Sequence, residues 1–417
     1  MESRLKRNVF LKAMEAVVTV AASFTQLAVI THKYTPVTVG DYQLVLAWLF
    51  LVSALSCFGG IVMVSTRELS QGTDSERSSI YSSAFFLQVL VAIPLCAVAA
   101  VSFSLLLPQI ALPLTVGTIA LLGALIFQLS QSLLVSKEQI SRVVVASIVG
   151  QVVATALLCF AAYRGCSVSI LVGAWATCNV AQGIVLFFQS RAWQAISLRR
   201  VRLDLLKKLA VECLPVLVMV LATHLYVRID VIMLSYFTNN VVVAQYSAGY
   251  LFLDQLMILS NFMMGALFPN FARTSLDGGR DFQILYRGIL RLFGKYLLPI
   301  ALLIALLSKY LLGIIYGADY ATAWLSLSIL MMAAIFAWIN GPSGTIFISL
   351  KKQHIYMWAT LLSLLVNVVG NLILIPIIGA VGAAISTVLT ELAICSFCLY
   401  WIYRETGYLP WMRPKAD

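Results

Sequence analysis

Lys12, Glu15, Thr19, Ser23 and Gln26 recur every three or four residues through a run that is otherwise mostly Val, Ala, Phe and Leu. At about 100° per residue they share one narrow helical face. A cation, an acid and polar groups in line can hold an anion, exchange a proton or solvate a sugar when they border water rather than hydrocarbon. Two readings of this stripe stand: it lines a wet cavity, or it makes helix–helix hydrogen bonds while Lys12 and Glu15 snorkel. Further on, Glu212, Thr223, Tyr226 and Asp230 share one phase, and His224 and Arg228 form an i, i+4 pair on another. Both sets can border one lumen, or Arg228 and Asp230 can be an interfacial salt bridge. Tyr246, Ser247, Tyr250, Asp254 and Asn261 line one side of the next run, with Asp254 near its middle, and Glu391 sits midway along the last. A carboxyl moved into apolar surroundings can couple proton or cation binding to helix packing. Asp254 is therefore the first candidate for ion coupling, with Glu391 second and Glu212 beside them; a hydrogen-bonded structural role is the alternative for each.

Other chemistries find no footing. His32, His224 and His354 lack metal-ligand spacing, and Cys395 and Cys398 lie in an apolar run with no second pair to complete a zinc site. The cysteines read as small hydrophobes, and no metal or organic cofactor is expected. No paired carboxylates and no Ser or Cys with a His fall in a connector, so an enzyme with a large external catalytic loop is disfavoured.

The elements that must position these groups follow from composition. Hydrophobic residues are 61% of the 417 positions and charged residues 11%, against about 25% charged in ordinary globular domains. Runs of about 20 apolar residues predict about twelve membrane helices. They lie near 9–31, 42–66, 80–107, 109–135, 143–163, 167–189, 209–236, 243–270, 288–316, 322–349, 355–378 and 380–402. The basic start runs straight into the first span, which reads as an uncleaved helix. With both termini in the cytoplasm, all of the 28 lysines and arginines except Lys33, Arg164, Arg228 and Lys309 fall on the cytoplasmic side. That asymmetry accounts for the net charge of +11 without nucleic acid.

The longest connector divides the chain into a six-helix lobe at 1–189, a linker at 190–208, a second six-helix lobe at 209–402 and a tail at 403–417. The linker's Trp193, Ile196, Val201 and Leu205 alternate with bases, so it is either an amphipathic helix on anionic lipid or plain positive-inside charge. Val39-Gly-Asp-Tyr42 and Val243-Ala-Gln-Tyr246 open the second span of each half, a trace of parallel repetition. Asn340-Gly-Pro-Ser-Gly344 is expected to interrupt the tenth span, as a transport hinge or as an adaptation to packing. Thr360, Ser363, Asn367 and Asn371 give the eleventh a polar stripe.

Three segments make the chain recognisable: Arg228-Ile-Asp-Val-Ile-Met-Leu234, Ala244-Gln-Tyr-Ser-Ala-Gly-Tyr250 with Leu267-Phe-Pro269, and Asn367-x-x-Gly-Asn371 followed by Pro376-x-x-Gly379-Ala-x-Gly382-Ala-Ala-x-x-Thr387. On these, with Val39-Gly-Asp-Tyr42 and Arg67, the sequence resembles the Wzx-type O-antigen and polysaccharide flippases of the MATE-like MOP superfamily. The resemblance implies two six-helix lobes about a cleft, alternating access, and ion coupling by H+ or Na+. Its implied substrate is a polyprenyl-diphosphate-linked oligosaccharide in a bacterial inner membrane, with polysaccharide polymerase and chain-length machinery as partners. A diphosphate in a cleft of low dielectric needs fixed cations, and Lys12, Arg67 and Arg228 are candidates, although Arg67 also fits a positive-inside anchor. Glu15, Gln26, Thr223, His224, Asp230, Tyr250 and Asn261 would complete the substrate-binding set. Competing functions are a multidrug or organic-cation antiporter, a flippase for lipid-linked peptidoglycan precursors and, disfavoured by the short external connectors, a polysaccharide polymerase or O-antigen ligase.

Overall fold

The computed structural model describes residues 2–56, 60–71, 73–274, 280–350 and 352–412, and among them every element is a helix. In lipid each backbone polar group must be satisfied within the protein, so nearly continuous apolar sequence leaves helix as the available structure. Cys57, and Arg413 and Lys415 of the tail, lie outside the described residues.

The chain folds as two compact units, Met1–Arg228 and Ile229–Asp417. The first holds α1 (Glu2–Lys33), α2 (Pro36–Ser56), α3 (Ile61–Gln71), α4 (Asp74–Leu106), α5 (Ala111–Ser136), α6 (Ile140–Tyr163), α7 (Val168–Gln189), the short α8 (Ala192–Ala195) and most of α9 (Leu203–Phe237). The end of α9 belongs to the second unit, with α10 (Asn240–Thr274), α11 (Arg280–Leu292), α12 (Leu298–Tyr316), α13 (Trp324–Ser349) and α14 (Gln353–Thr406). Ten stretches of the described residues are long and apolar enough to cross a bilayer. The last, His354–Thr406, is two helices joined at Ile378 and Gly379. Gly379 has φ 55° and ψ −131°, a backbone conformation open to glycine and costly for other residues. With the 35-residue α9, the chain has the expected complement of about twelve spans.

Small residues let the helices approach. A Cβ on Gly183 of α7 would lie 2.7 Å from the Gly123 carbonyl oxygen of α5, so those two backbones are in contact. In unit 2, a Cβ on Gly382 would lie 2.4 Å from the Leu374 carbonyl oxygen, and one on Gly370 would meet the Ser386 hydroxyl at 2.5 Å. These contacts give a packing reason for the glycine spacing between Asn367 and Thr387. The two repeated motifs occupy the same register: Val39 stands three residues into α2 and Val243 three into α10, and the Val and Tyr of both motifs are buried.

Two local expectations change. The 190–208 connector is not one amphipathic helix: it breaks into α8 and a 3₁₀ turn at Leu198–Arg200. Its backbone is held by two buried serines of α4, for Ser82 Oγ donates to the Ala195 carbonyl at 2.6 Å and Ser83 Oγ accepts from Arg202 N at 3.3 Å. Ile196 and Leu205 pack against the core of α3, α4 and α5, which α9 enters through Leu209 and Cys213. The second change is in α13, which runs unbroken through Pro342. Gly344 there serves packing, since a Cβ would stand 3.3 Å from the Tyr356 ring.

Candidate functional site

The polar stripe of α1 separates into three local contacts. Lys12 Nζ lies 2.6 Å from Glu15 Oε2, one turn away, so that cation already has a counter-charge. Gln26 is buried, and its Nε2 donates to Thr155 Oγ1 of α6 at 2.8 Å. Ser23 Oγ returns to the Thr19 carbonyl at 2.9 Å. Gln26 thus serves helix contact and Ser23 bonds within its own helix, whereas Lys12 and Glu15 stay partly exposed.

Arg67 and Glu212 meet although 145 residues apart: Arg67 Nη2 is 2.5 Å from Glu212 Oε2 and 3.0 Å from Glu68 Oε1. Lys208 Nζ closes on the other oxygen of Glu68 at 2.5 Å, which holds its ammonium above the usual lysine range. Two bases and two acids therefore form an alternating ladder joining the end of α3 to the start of α9. Its charges cancel, which leaves Arg67 little net attraction for an anionic ligand and ties Glu212 to a base. Sequence reading had named Arg67 and Glu212 separately; Glu68 and Lys208, the remaining rungs, carried no signal beyond being charges at span ends.

His224 and Arg228, one turn apart on α9, converge on Phe50 of α2. The His224 ring stacks on Phe50 with centroids 4.2 Å apart and planes at 26°, and the Arg228 guanidinium carbon stands 5.3 Å from the Phe50 centroid. A carbonyl only accepts hydrogen bonds, so the 2.8 Å contact between His224 Nδ1 and the Val220 carbonyl places a proton on Nδ1 and directs Nε2 outward. Cation and imidazole are thus fixed by one aromatic plate in a half-buried setting. Thr223, on the neighbouring phase, returns its hydroxyl to the Met219 carbonyl at 2.9 Å. Phe50 was missed because one Phe in an apolar span looks like any other.

In unit 2 Asp230 is 1% exposed. Tyr246, fully buried on α10, donates its hydroxyl to Asp230 Oδ2 at 2.5 Å, and the Val231 amide donates to Oδ1 at 2.7 Å. The Thr387 hydroxyl also reaches the Tyr246 phenol, and Tyr250 packs one turn along with ring centroids 5.7 Å apart. Nearby in sequence to Thr387, Ser386 Oγ donates to the Asn367 carbonyl at 3.0 Å, and Asn371 Nδ2 donates to Asn367 Oδ1 at 2.9 Å. Among the described residues, Asn371 Oδ1 is buried without a hydrogen-bond partner, as are Ser247 Oγ and Gln255 Oε1 on α10. Such oxygens are sites for water or a hard cation. Asp254 lies half-buried one turn beyond Tyr250, and Asn261 is exposed. Glu391 stands apart on the second half of α14, with Tyr356, Cys395 and Cys398 around it. Among the described residues no three His, Cys, Asp or Glu side chains gather as a metal site.

The fold has solved counterparts. The lipid II flippase MurJ in an inward closed conformation superposes with a TM-score of 0.78 at 11% identity, over 94% of this chain and 87% of that one. A multidrug resistance MATE family transporter of the MOP superfamily, inward-facing, gives 0.76 at 10% identity, over 96% and 98%. At these identities the likeness is one of fold. In sequence, 180 residues are 27% identical to the uncharacterised membrane protein MJ1068 of Methanocaldococcus jannaschii, 42% of this chain and about a third of that relative's length, 34%. The family described as polysaccharide biosynthesis protein matches residues 5–275, which takes in the Phe50–His224–Arg228 stack, the charge ladder and the Asp230–Tyr246 pair. The chain is a multi-pass membrane protein of the MATE- and MurJ-like fold, and it belongs to that polysaccharide biosynthesis family.

Proposed function

We propose that this protein flips a polyprenyl-diphosphate-linked oligosaccharide repeat unit from the cytoplasmic to the periplasmic leaflet of a bacterial inner membrane, by alternating access coupled to H+ or Na+. The observation that carries the reading is the stack of Arg228 and His224 on Phe50. A diphosphate leaving water needs a cation already in place, and a guanidinium is weakly hydrated, forked to match phosphate oxygens and suited to an aromatic plate. Membership of a polysaccharide biosynthesis family supplies the setting in which a lipid-linked glycan is the cargo. Asp254, with Glu391 second, is the proposed coupling acid, and the unpartnered oxygens of unit 2 suit a hard cation. Both termini are cytoplasmic in this scheme, and the flipped glycan passes to polymerase and chain-length machinery for O-antigen, capsule or exopolysaccharide.

The test is reconstitution. Proteoliposomes carrying a fluorescent polyprenyl-diphosphate glycan in the outer leaflet are expected to protect it from a membrane-impermeant quencher only when the protein is present. An organic-cation antiporter is the second reading, supported by the shared fold with a multidrug transporter. Proton-driven movement of ethidium without movement of the lipid-linked glycan would replace the first reading by the second.

A further inference from the structure

The segment Arg280–Tyr316 begins with an amphipathic helix whose outer face carries bases that form no ion pair among the described residues. Phe282, Tyr286 and Ile289 of α11, continued by Phe293 and Leu297, recur every three or four residues and are buried. The other face carries Arg287, Arg291 and Lys295 at intervals of four, interleaved with the exposed Ile284, Leu292 and Tyr296. None of the three bases forms an ion pair among the described residues. Nearby acids are Asp281, exposed in the first turn of α11, and Glu405 at the end of α14, which is held by Lys352. Tyr408, just past α14, lies beside Arg287 and Arg291.

Two features set this face apart from an ordinary basic connector. First, the turn Phe293–Leu297 is a π-helix, closed by the Leu298 amide on the Phe293 carbonyl. An unbroken α-helix would carry Lys295 about 40° round from Arg291, and the wider i→i+5 turn keeps the two closer to one line. Lys295 Nζ then sits 5.0 Å from the Tyr296 ring centroid. Second, the face continues without a break into α12, where Leu302, Leu303, Leu306, Tyr310 and Ile314 are exposed, Ile314 by 78%. Apolar exposure on that scale in a membrane helix is covered by acyl chains. Bases mixed with an aromatic and aliphatic residues at its cytoplasmic end are thus at headgroup depth. An aqueous anion would not require Ile284, Leu292 and Tyr296 between its ligands.

We propose that Arg287, Arg291 and Lys295 form a binding site for the phosphate of an anionic phospholipid in the cytoplasmic leaflet, with Ile284, Leu292 and Tyr296 among its upper acyl carbons. The site rests on the membrane topology and is independent of what the protein transports. The full-length protein is purified and titrated with phosphatidylglycerol and, separately, phosphatidylcholine, and bound lipid is counted by native mass spectrometry. The variant Arg287→Gln, Arg291→Gln, Lys295→Gln is expected to weaken retention of phosphatidylglycerol by about tenfold or more, at about one favourable contact per base. A control of equal charge change, Lys137→Gln, Arg199→Gln, Lys207→Gln, removes exposed bases from other cytoplasmic connectors and is expected to leave it within about twofold. Equal losses in the two variants, or none in the first, would overturn the site and reduce these bases to diffuse positive charge. Should the triple variant not fold, Arg291→Gln alone is expected to lower retention by about threefold or more, while Arg291→Lys retains it; no change in Arg291→Gln overturns the site equally.

Discussion

Arg228→Gln is the sharpest perturbation of the proposed transport, because it deletes a guanidinium held over Phe50 and leaves a polar, helix-compatible side chain. A hydrogen bond to a charged phosphate is worth about 1.5–3 kcal/mol, so apparent affinity for the diphosphate-linked lipid should fall by about 10- to 150-fold. Arg228→Lys keeps the charge and loses the fork, and is expected to fall between. Phe50→Leu keeps an apolar side chain and removes the aromatic face; loss of a cation–π contact of about 0.5–2 kcal/mol predicts a fall of about 2- to 30-fold. Phe50→Tyr should stay near the parent, since its ring has the same attraction for a cation. The assay is the initial flipping rate in proteoliposomes across lipid-linked glycan concentrations, normalised to the amount of inserted protein. If Phe50 acts through Arg228, the double variant loses no more than Arg228→Gln alone. Parent affinity in Arg228→Gln, or losses that simply add in the double variant, would refute the reasoning.

Three further substitutions test the rest. Gly382→Val pushes a branched side chain into the Leu374 carbonyl, where even a Cβ would stand at 2.4 Å; destabilisation of about 1–3 kcal/mol or more should appear as a lower unfolding temperature in detergent, and an unchanged one contradicts the packing account. Glu68→Gln leaves Arg67 and Lys208 with Glu212 as the remaining acid of the ladder, at a cost of about 1 kcal/mol that shrinks in high salt; salt-independent loss means that the ladder is not the cause. Asp254→Asn is expected to flatten the pH dependence of flipping while Glu391→Gln changes it less, and an unaltered profile in Asp254→Asn removes Asp254 as the coupling acid.

What the sequence made legible was whatever depends on composition and period. Apolar runs bounded by polar connectors gave the spans, and the boundary between 355–378 and 380–402 falls at Gly379, whose positive φ few other residues adopt. The repeated Val-x-x-Tyr motifs pointed to equivalent places, and α2 and α10 hold them in equal register. Pro342 misled because proline was weighed as a breaker, whereas in a membrane helix neighbouring groups can satisfy the freed carbonyl and the helix continues. For the 190–208 connector the alternation of bases and apolar residues left an amphipathic helix as one of two readings, and it could not show that Ser82 and Ser83 of a distant helix set the path instead.

Helical phase says which side chains share a face and nothing about which faces meet. That limit explains why the candidate residues were individually visible and their partners were not. Lys12 and Glu15 lie on one helix, so their pairing could be read from an interval of three. Asp230 and Tyr246 are only 16 residues apart but on successive helices, and the acid's neutral partner had no sign that charge counting could detect. Arg67 and Glu212 are separated by 145 residues, and their contact cancels the very charge that made each a candidate. Arg228 meets Phe50 across two helices of unit 1, and a base packed on an aromatic ring is the hardest of these contacts to foresee, because the ring carries no charge to count and its helical phase marks it only as apolar.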